Sequence, residues 1–135
     1  MPANDITSGA TPAQIGSISA EVIATLGLAL TAGEPIYLGQ TNIDHMQGRH
    51  PQDYAKYGAH IALILREPDF VGINPKDQSL EYVKEFVIDG EFVKVAVRVS
   101  VAGRYYARSL YVLNASRVHN FVAKGTLKKP LDKQA

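Results

Sequence analysis

The spacing of apolar positions changes near the middle of the chain, from a helical period to an alternating one. Ile18, Val22, Leu26, Ala29 and Leu30 share one helical stripe, with Ser17 or Ser19 available as N-cap and Gly33 as the stop. Pro35 precedes a short apolar run, Ile36 to Leu38, that reads as a strand. Thr41 to Arg49 reads as a short helix, with Thr41 and Asp44 at capping-box spacing. A longer helix starts at Pro51, a residue suited to a first turn. Its buried stripe is Tyr54, Tyr57, Ile61, Ile64 and Leu65, and Pro68 ends it.

Phe70 to Ile73 reads as a strand and Asn74 to Asp77 as a turn, after which a β-meander begins. Asp89-Gly90 is the strongest hairpin signal, because a two-residue loop needs positive φ at both positions. Such a loop sets Ile88 opposite Glu91, Phe86 opposite Val93, Lys84 opposite Val95, Tyr82 opposite Val97 and Leu80 opposite Val99. That face is almost wholly apolar, while the reverse face pairs Glu85 with Lys94 and Glu81 with Arg98. Ala102-Gly103 marks the next turn. A two-residue loop there sets Ala96 opposite Ser109 and Lys94 opposite Tyr111, but seats Arg108 on the apolar face beside Val97. A bulge or a longer loop would relieve that conflict. Asn114 caps a last helix through Ala123, with Lys124 in its final turn and Gly125 as its stop.

Helices first, then a meander, then a helix make an α+β fold. N-terminal helices pack on one face of a small antiparallel β-meander sheet, with a short C-terminal helix. Residues 1–16, rich in Pro, Gly, Ser, Thr and Ala, read as a flexible arm. Residues 17–125 form a single domain, and residues 126–135, with Lys128, Lys129 and Lys133, form a basic tail.

A chain of 135 residues that is 46% hydrophobic suits one domain with one packed core. The absence of Cys excludes a disulfide framework, a zinc–thiolate site and a Cys nucleophile, and fits a reducing, cytoplasmic location. The longest apolar stretch, Val22 to Ala32, is too short to span a bilayer, and no basic residue precedes it as in a secretory signal. The formal net charge of +1 is unevenly spread, since no Lys or Arg occurs before Arg49. The C-terminal part therefore attracts anions, which admits a phosphate-bearing partner there. Charge alone favours the plainer description, a soluble surface with a mild local bias.

The densest polar cluster is His45, Arg49 and His50. His45 and Arg49 share a helical face, and His50 stands at the joint before Pro51. Two imidazoles and a guanidinium suit a base, an acid and an anion clamp; a polar helix face with a capping His is the competing reading. A metal site is disfavoured. His45 and His50 do not share a helical face, no HExxH pattern occurs, and Asp44 and Asp53 have no distinctive spacing to them. His60 and His119 read as packing or surface histidines. Lys94, Arg98, Arg104 and Arg108 form a basic group interleaved with Tyr105, Tyr106 and Tyr111, suited either to phosphate and unpaired bases or to cross-strand ion pairs with Glu81 and Glu85. Lys84 is a lone charge on the apolar face and either snorkels past an edge or points into a site.

Four segments carry a family resemblance: "IYLGQTNIDHMQGRHPQDY", "ILREPDFVGINPKD", "EYVKEFVIDGEFVKVAVRVS" and "YYARSLYVL". The run from Ile36 to Tyr111 resembles the phage-associated branch of the barnase/EndoU/colicin/RelE-like nucleases. That family shows a strand, a His-bearing helix, an Arg-His-Pro step, a long helix and a Pro-Asp strand start. A meander follows and ends in a strand with a hydroxyl residue before an aromatic. His45, Arg49 and His50 match its His and Arg-His step, Ser109 and Tyr111 its last-strand pair, and Lys84 a basic position in its first meander strand. Arg108 has no aligned counterpart, and the first helix and basic tail lie outside the resemblance.

The resemblance implies cleavage of RNA by its own 2′-hydroxyl, leaving a 2′,3′-cyclic phosphate, with no cofactor and no metal. His45 and His50 would be acid and base in either order, Arg49 the clamp, and Ser109 and Tyr111 the positioning groups. Lys84, Lys94, Arg98, Arg104, Arg108 and Tyr105 would hold RNA. It also implies a phage or prophage effector or toxin restrained by a small acidic inhibitor protein. The alternatives are a binding module on the same fold that has lost catalysis, and a phage structural accessory.

Overall fold

The computed structural model describes residues 11–133. Its strands are β1 (Ala13–Ile18), β2 (Glu34–Leu38), β3 (Phe70–Ile73), β4 (Leu80–Phe86), β5 (Glu91–Val99), β6 (Tyr105–Leu113) and β7 (Leu127–Lys128). They form one seven-stranded sheet in the order β1-β2-β6-β5-β4-β3-β7. Neighbours are antiparallel except β2 and β6, which run parallel through Ile36–Tyr105 and Tyr37–Tyr106. The helices are α1 (Ala20–Leu26), α2 (Gln40–Arg49), α3 (Pro51–Tyr57), α4 (Ile61–Arg66) and α5 (Ala115–Lys124). The architecture is α+β, as expected.

One face of the sheet carries the main core. Val22 of α1, Met46 of α2, Tyr57 of α3 and Ile61, Ile64 and Leu65 of α4 close on Tyr82, Val93, Val95, Val97 and Leu110. Each such buried side chain contributes about 1.5–3 kcal/mol. The reverse face is not wholly free. At one end α5 covers a second cluster of Val83, Phe92, Leu113, Val118 and Leu127. The helix forms as expected, with Asn114 accepting from the Arg117 N–H at 2.9 Å and Gly125 closing it in the left-handed region.

The first helix is shorter than its apolar stripe. Ser19 caps it, accepting from the Val22 N–H at 3.2 Å, but Gly27 ends it at φ 67°. Ile18 lies in β1, whose residues Ala13 to Gly16 belong to the sheet rather than to an arm; the arm's first ten residues lie outside the described residues. Pairing of β1 with β2 takes Ile18 and Gly33 out of the helix, since the Gly33 N–H donates to the Ile18 carbonyl at 2.8 Å. The C-terminal end is likewise part of the fold. Gly72 and Val71 pair with Leu127 and Lys128, and the Lys133 ammonium donates to the Pro68 carbonyl at 2.9 Å. The long helix after Pro51 is interrupted by one 3-10 turn, Gly58–His60, which leaves its buried stripe in place.

The β4–β5 loop has four residues, 87 to 90, not two. Phe86 faces Glu91, Gly90 alone in the loop has positive φ, and the Asp89 and Gly90 N–H groups donate back to Phe86 and Val87. Lys84 therefore faces Val93, Tyr82 faces Val95 and Leu80 faces Val97. A slip of two preserves both faces but changes every partner. The Glu85–Lys94 and Glu81–Arg98 pairings do not form. Instead Glu81 meets Lys94 on the diagonal at 2.7 Å. The Tyr57 hydroxyl donates to Glu91 and Asp89, and Lys56 lies 2.7 Å from Glu91, so the end of α3 clamps the foot of this loop.

Candidate active site

Strand β2 pairs with β6 only at Tyr105 and Tyr106, although β6 continues to Leu113. Beyond Tyr106 its outer edge is flanked by α2 and α3 instead of a strand. Asp53 of α3 accepts from the Val112 N–H at 3.0 Å, which satisfies one edge donor with a side chain. Helix α2 begins at Gly39, whose N–H donates at 2.9 Å to the amide oxygen of the buried Asn42; the Thr41–Asp44 capping box does not form, and Asp44 accepts from Gln40.

On β6 the ladder with β5 slips by one residue. Ala96 faces Ser109 and Lys94 faces Tyr111, as expected, but Val97 faces Ala107 and Arg98 faces Tyr106. Arg108 is the extra residue and is exposed, which removes the conflict of an arginine beside Val97. The bulge also inverts parity beyond it. Tyr105 packs on the core, so Tyr106, not Tyr105, stands on the face of Ser109 and Tyr111.

A cleft of about 440 Å³ opens at this seam, lined by His45 together with Gln40, Thr41, Tyr106 and Arg108. Among the described residues the side chains of His45, Arg49, Arg108 and Ser109 have no hydrogen-bond or ion-pair partner. An imidazole and a guanidinium thus share the cleft with their polar capacity unspent. His50, at the joint of α2 and α3, does not line this cleft. Its ring stacks on Tyr111, centroids 4.9 Å apart. Arg49 sits with His50, Gln52 and Asp53 at a shallow depression of about 260 Å³.

A family model described as phage-Barnase-EndoU-ColicinE5/D-RelE like nuclease3 matches residues 13–120. The chain belongs to this phage-associated nuclease family. The match starts at the first residue of β1, runs through α2 and the whole of β6, and ends within α5. It makes the nuclease a member of a family of enzymes acting on nucleic acid. No curated protein and no solved structure matches the chain.

The remaining basic residues of the nuclease divide. Lys94 is buried against Glu81, which also accepts from Asn74 at 3.2 Å, and the Lys94 ammonium lies 4.9 Å from the Tyr111 ring centroid. Burial pulls the Lys94 pKa down, but the hydrogen bonds with Glu81 and Tyr111 outweigh it and the net direction is upward. Its charge is neutralised by Glu81, so it supports Tyr111 rather than presenting a cation. Lys84 does not join the site; it donates at 3.1 Å to the Glu67 carbonyl at the end of α4. Arg98 and Arg104 are exposed beside Tyr106 and Tyr37. His60 packs near Phe86 and His119 near Phe92, both away from the cleft. Among the described residues no helix is long and apolar enough to cross a membrane.

Tyr37 escapes the sequence pattern, whereas Tyr106 stands in it beside Tyr105 and Tyr111 with nothing local to say which of the three share the site face. The signal that finds Tyr106 is the Arg108 conflict itself, because a bulge that ejects Arg108 must also move Tyr106 onto the site face. Nothing in the local pattern marks Tyr37.

Proposed function

We propose that the nuclease is an endoribonuclease that cleaves RNA by attack of the neighbouring 2′-hydroxyl, without a metal ion. The observation that carries this reading is the pairing of His45 with the bulged Arg108 in one cleft, both without partners among the described residues. A base removes the 2′-hydroxyl proton as the oxygen attacks phosphorus. The bond to the 5′-oxygen breaks, that oxygen takes a proton from an acid, and a 2′,3′-cyclic phosphate remains. Imidazoles serve both proton transfers at neutral pH, each worth about 100- to 10,000-fold. A guanidinium holds two phosphate oxygens as charge builds on them.

His45 is one proton-transfer group and Arg108 the clamp, with Tyr106 beneath a base. His50 supplies the second transfer from the far end of α2. Arg49 stands with His50 at the neighbouring depression, and Ser109 follows the clamp on β6. Uncompensated cations at this cleft also suit a small acidic protein as inhibitor, in keeping with a phage effector or toxin.

The test is incubation of the pure protein with end-labelled RNA in excess chelator. The expected products end in a 2′,3′-cyclic phosphate, and a substrate with one 2′-deoxy position resists cleavage there. His45→Ala and Arg108→Ala should each lose at least about 100-fold while remaining folded. Cleavage that requires added metal, or proceeds equally on DNA, would refute the reading.

A further inference from the structure

We propose that the sheet face beside the cleft is a track for single-stranded nucleic acid, with a base-and-phosphate subsite on Tyr37 and Arg104. This rests on the reading of the chain as a nuclease whose reacting phosphate sits at His45 and Arg108. It adds where the strand goes on leaving the cleft.

The register puts Gln14, Tyr37, Tyr106 and Arg98 in one transverse row across β1, β2, β6 and β5. Residues directly opposite on paired strands point to one face. Three strand spacings make the row about 14 Å long, running from the sheet edge past the mouth of the cleft. Tyr106 belongs to both features, since it lines the cleft with His45 and Arg108. Its ring lies 6.1 Å from that of Tyr37, the two tilted by 46°. The guanidinium of Arg104 lies 4.9 Å from the Tyr37 centroid.

Both tyrosines are half-buried, so each ring keeps surface that the core does not use. Arg98 and Arg104 are exposed, and neither has an ion-pair partner among the described residues. Glu81, the acid nearest in register, is taken by Lys94, and Asp77, whose carboxyl is held low by its hydrogen bonds with Ser79 and to a lesser degree by the Arg98 charge, forms no ion pair with that arginine. A row built to stabilise the fold would pair its arginines with carboxylates. Arg104 already lies over one face of Tyr37, so what remains for a ligand is the uncovered surface of the two rings and two guanidinium groups without an ion pair, the combination that recognises unpaired bases and their phosphates. Bases inside a duplex are stacked on one another and cannot offer a face to Tyr37, so the strand must be single.

Binding to a 2′-O-methyl single-stranded octamer, which cannot react through its 2′-oxygen, tests the track on the full chain by fluorescence anisotropy. The wild type should bind it more tightly than the same octamer annealed to its complement. Tyr37→Ala should weaken octamer binding on the order of 10-fold or more, and Tyr37→Phe should restore it. Arg104→Gln should lower the slope of log affinity against log salt by about 0.7, one phosphate contact on a single strand. Cleavage of an RNA dinucleotide, which fills only the cleft, should fall by a smaller factor than octamer binding in these variants; an equal fall would place Tyr37 and Arg104 in the cleft itself and overturn the separate subsite. Octamer binding indifferent to Tyr37 and Arg104, or no tighter than duplex binding, overturns the track and leaves the row to another occupant such as an acidic protein. The two readings separate cleanly. RNA cleavage with indifferent octamer binding sinks the track alone, and Tyr37-dependent binding without cleavage sinks the ribonuclease alone.

Discussion

The imidazole of His50 lies on the phenol ring of Tyr111, with centroids 4.9 Å apart and ring planes 28° from parallel. The contact ties the end of α2 to β6 just where the chain turns into α3. The Lys94 ammonium sits 4.9 Å from the same ring, so Tyr111 is held on the sheet side as well. The ring thereby orients His50 within the seam.

A ring that works by position tolerates loss of its hydroxyl. Tyr111→Phe should keep kcat/KM for RNA within about threefold, while Tyr111→Ala should lower it about 10- to 100-fold by freeing His50. Steady-state cleavage of one fluorogenic RNA measures both. A Phe variant as damaged as the Ala variant would assign the role to the hydroxyl instead.

Beneath Tyr111 the Lys94–Glu81 pair is buried, with side chains 8% and 6% exposed. Removing one member strands a charge in the sheet face. Lys94→Met or Glu81→Leu alone should destabilise by about 3–5 kcal/mol, whereas the double substitution should recover most of that loss. Urea denaturation of the four proteins tests this; equal, additive losses would show that the pair is not coupled. The double variant should also lose activity through Tyr111 even where its stability is normal.

Much of the fold was legible because local chemistry and tertiary context agree. Asn114 and Gly125 bound the last helix, Pro51 starts α3, and Ala96–Ser109 and Lys94–Tyr111 pair as alternation requires. The misses share one cause, a tertiary partner that overrides a local signal. Asp89-Gly90 reads as a two-residue turn until Tyr57 and Lys56 clamp Asp89 and Glu91 and widen it. Ile18 sits on a helical stripe until β2 draws it into a strand. In the site, His45 and His50 were visible as residue types on different helical faces, but their surroundings, a cleft for His45 and the Tyr111 ring for His50, were not. Both follow from where β2 stops, which leaves a length of β6 edge for α2 to follow. Lys84 looked available until α4 ended with a carbonyl beside it.

Three buried groups make folding sensitive to alkali, beside the exposed Lys56, which its hydrogen bond with Glu91 raises in the same direction. Burial, then the hydrogen bond to Glu91, pushes the Tyr57 phenol up to about 12. Burial alone raises Tyr82, whose hydroxyl has no partner among the described residues, and Lys94 is also raised. In every case the unfolded chain releases its proton first. Their stabilisation is therefore complete below about pH 10 and is lost as pH rises through the folded values. The urea midpoint should hold from pH 8 to about pH 10 and then fall. Tyr82→Phe should flatten that fall and leave neutral stability equal or slightly higher, because no hydrogen bond is lost. Tyr57→Phe should flatten it too, but at a cost of about 1 kcal/mol at neutral pH. A midpoint that falls equally in all three proteins would refute the assignment.

The β6 bulge separates what Arg108 contributes as a charge from what it contributes as an extra residue. Deleting Arg108 outright leaves Ala107 opposite Val97 and Ser109 opposite Ala96, so the two halves of the ladder join without changing any side chain's face. The deletion should therefore fold with a thermal midpoint within a few degrees of wild type, since no core side chain moves and a ladder irregularity is removed. Arg108→Ala keeps the bulge and removes only the guanidinium. If the cation is the whole contribution, both variants lose cleavage equally. If the bulge also sets the angle between Tyr106 and the cleft, the deletion loses more and additionally weakens the 2′-O-methyl octamer. Measuring melting, cleavage and octamer binding on both distinguishes the cases. A deletion that retains cleavage would remove Arg108 from the site altogether.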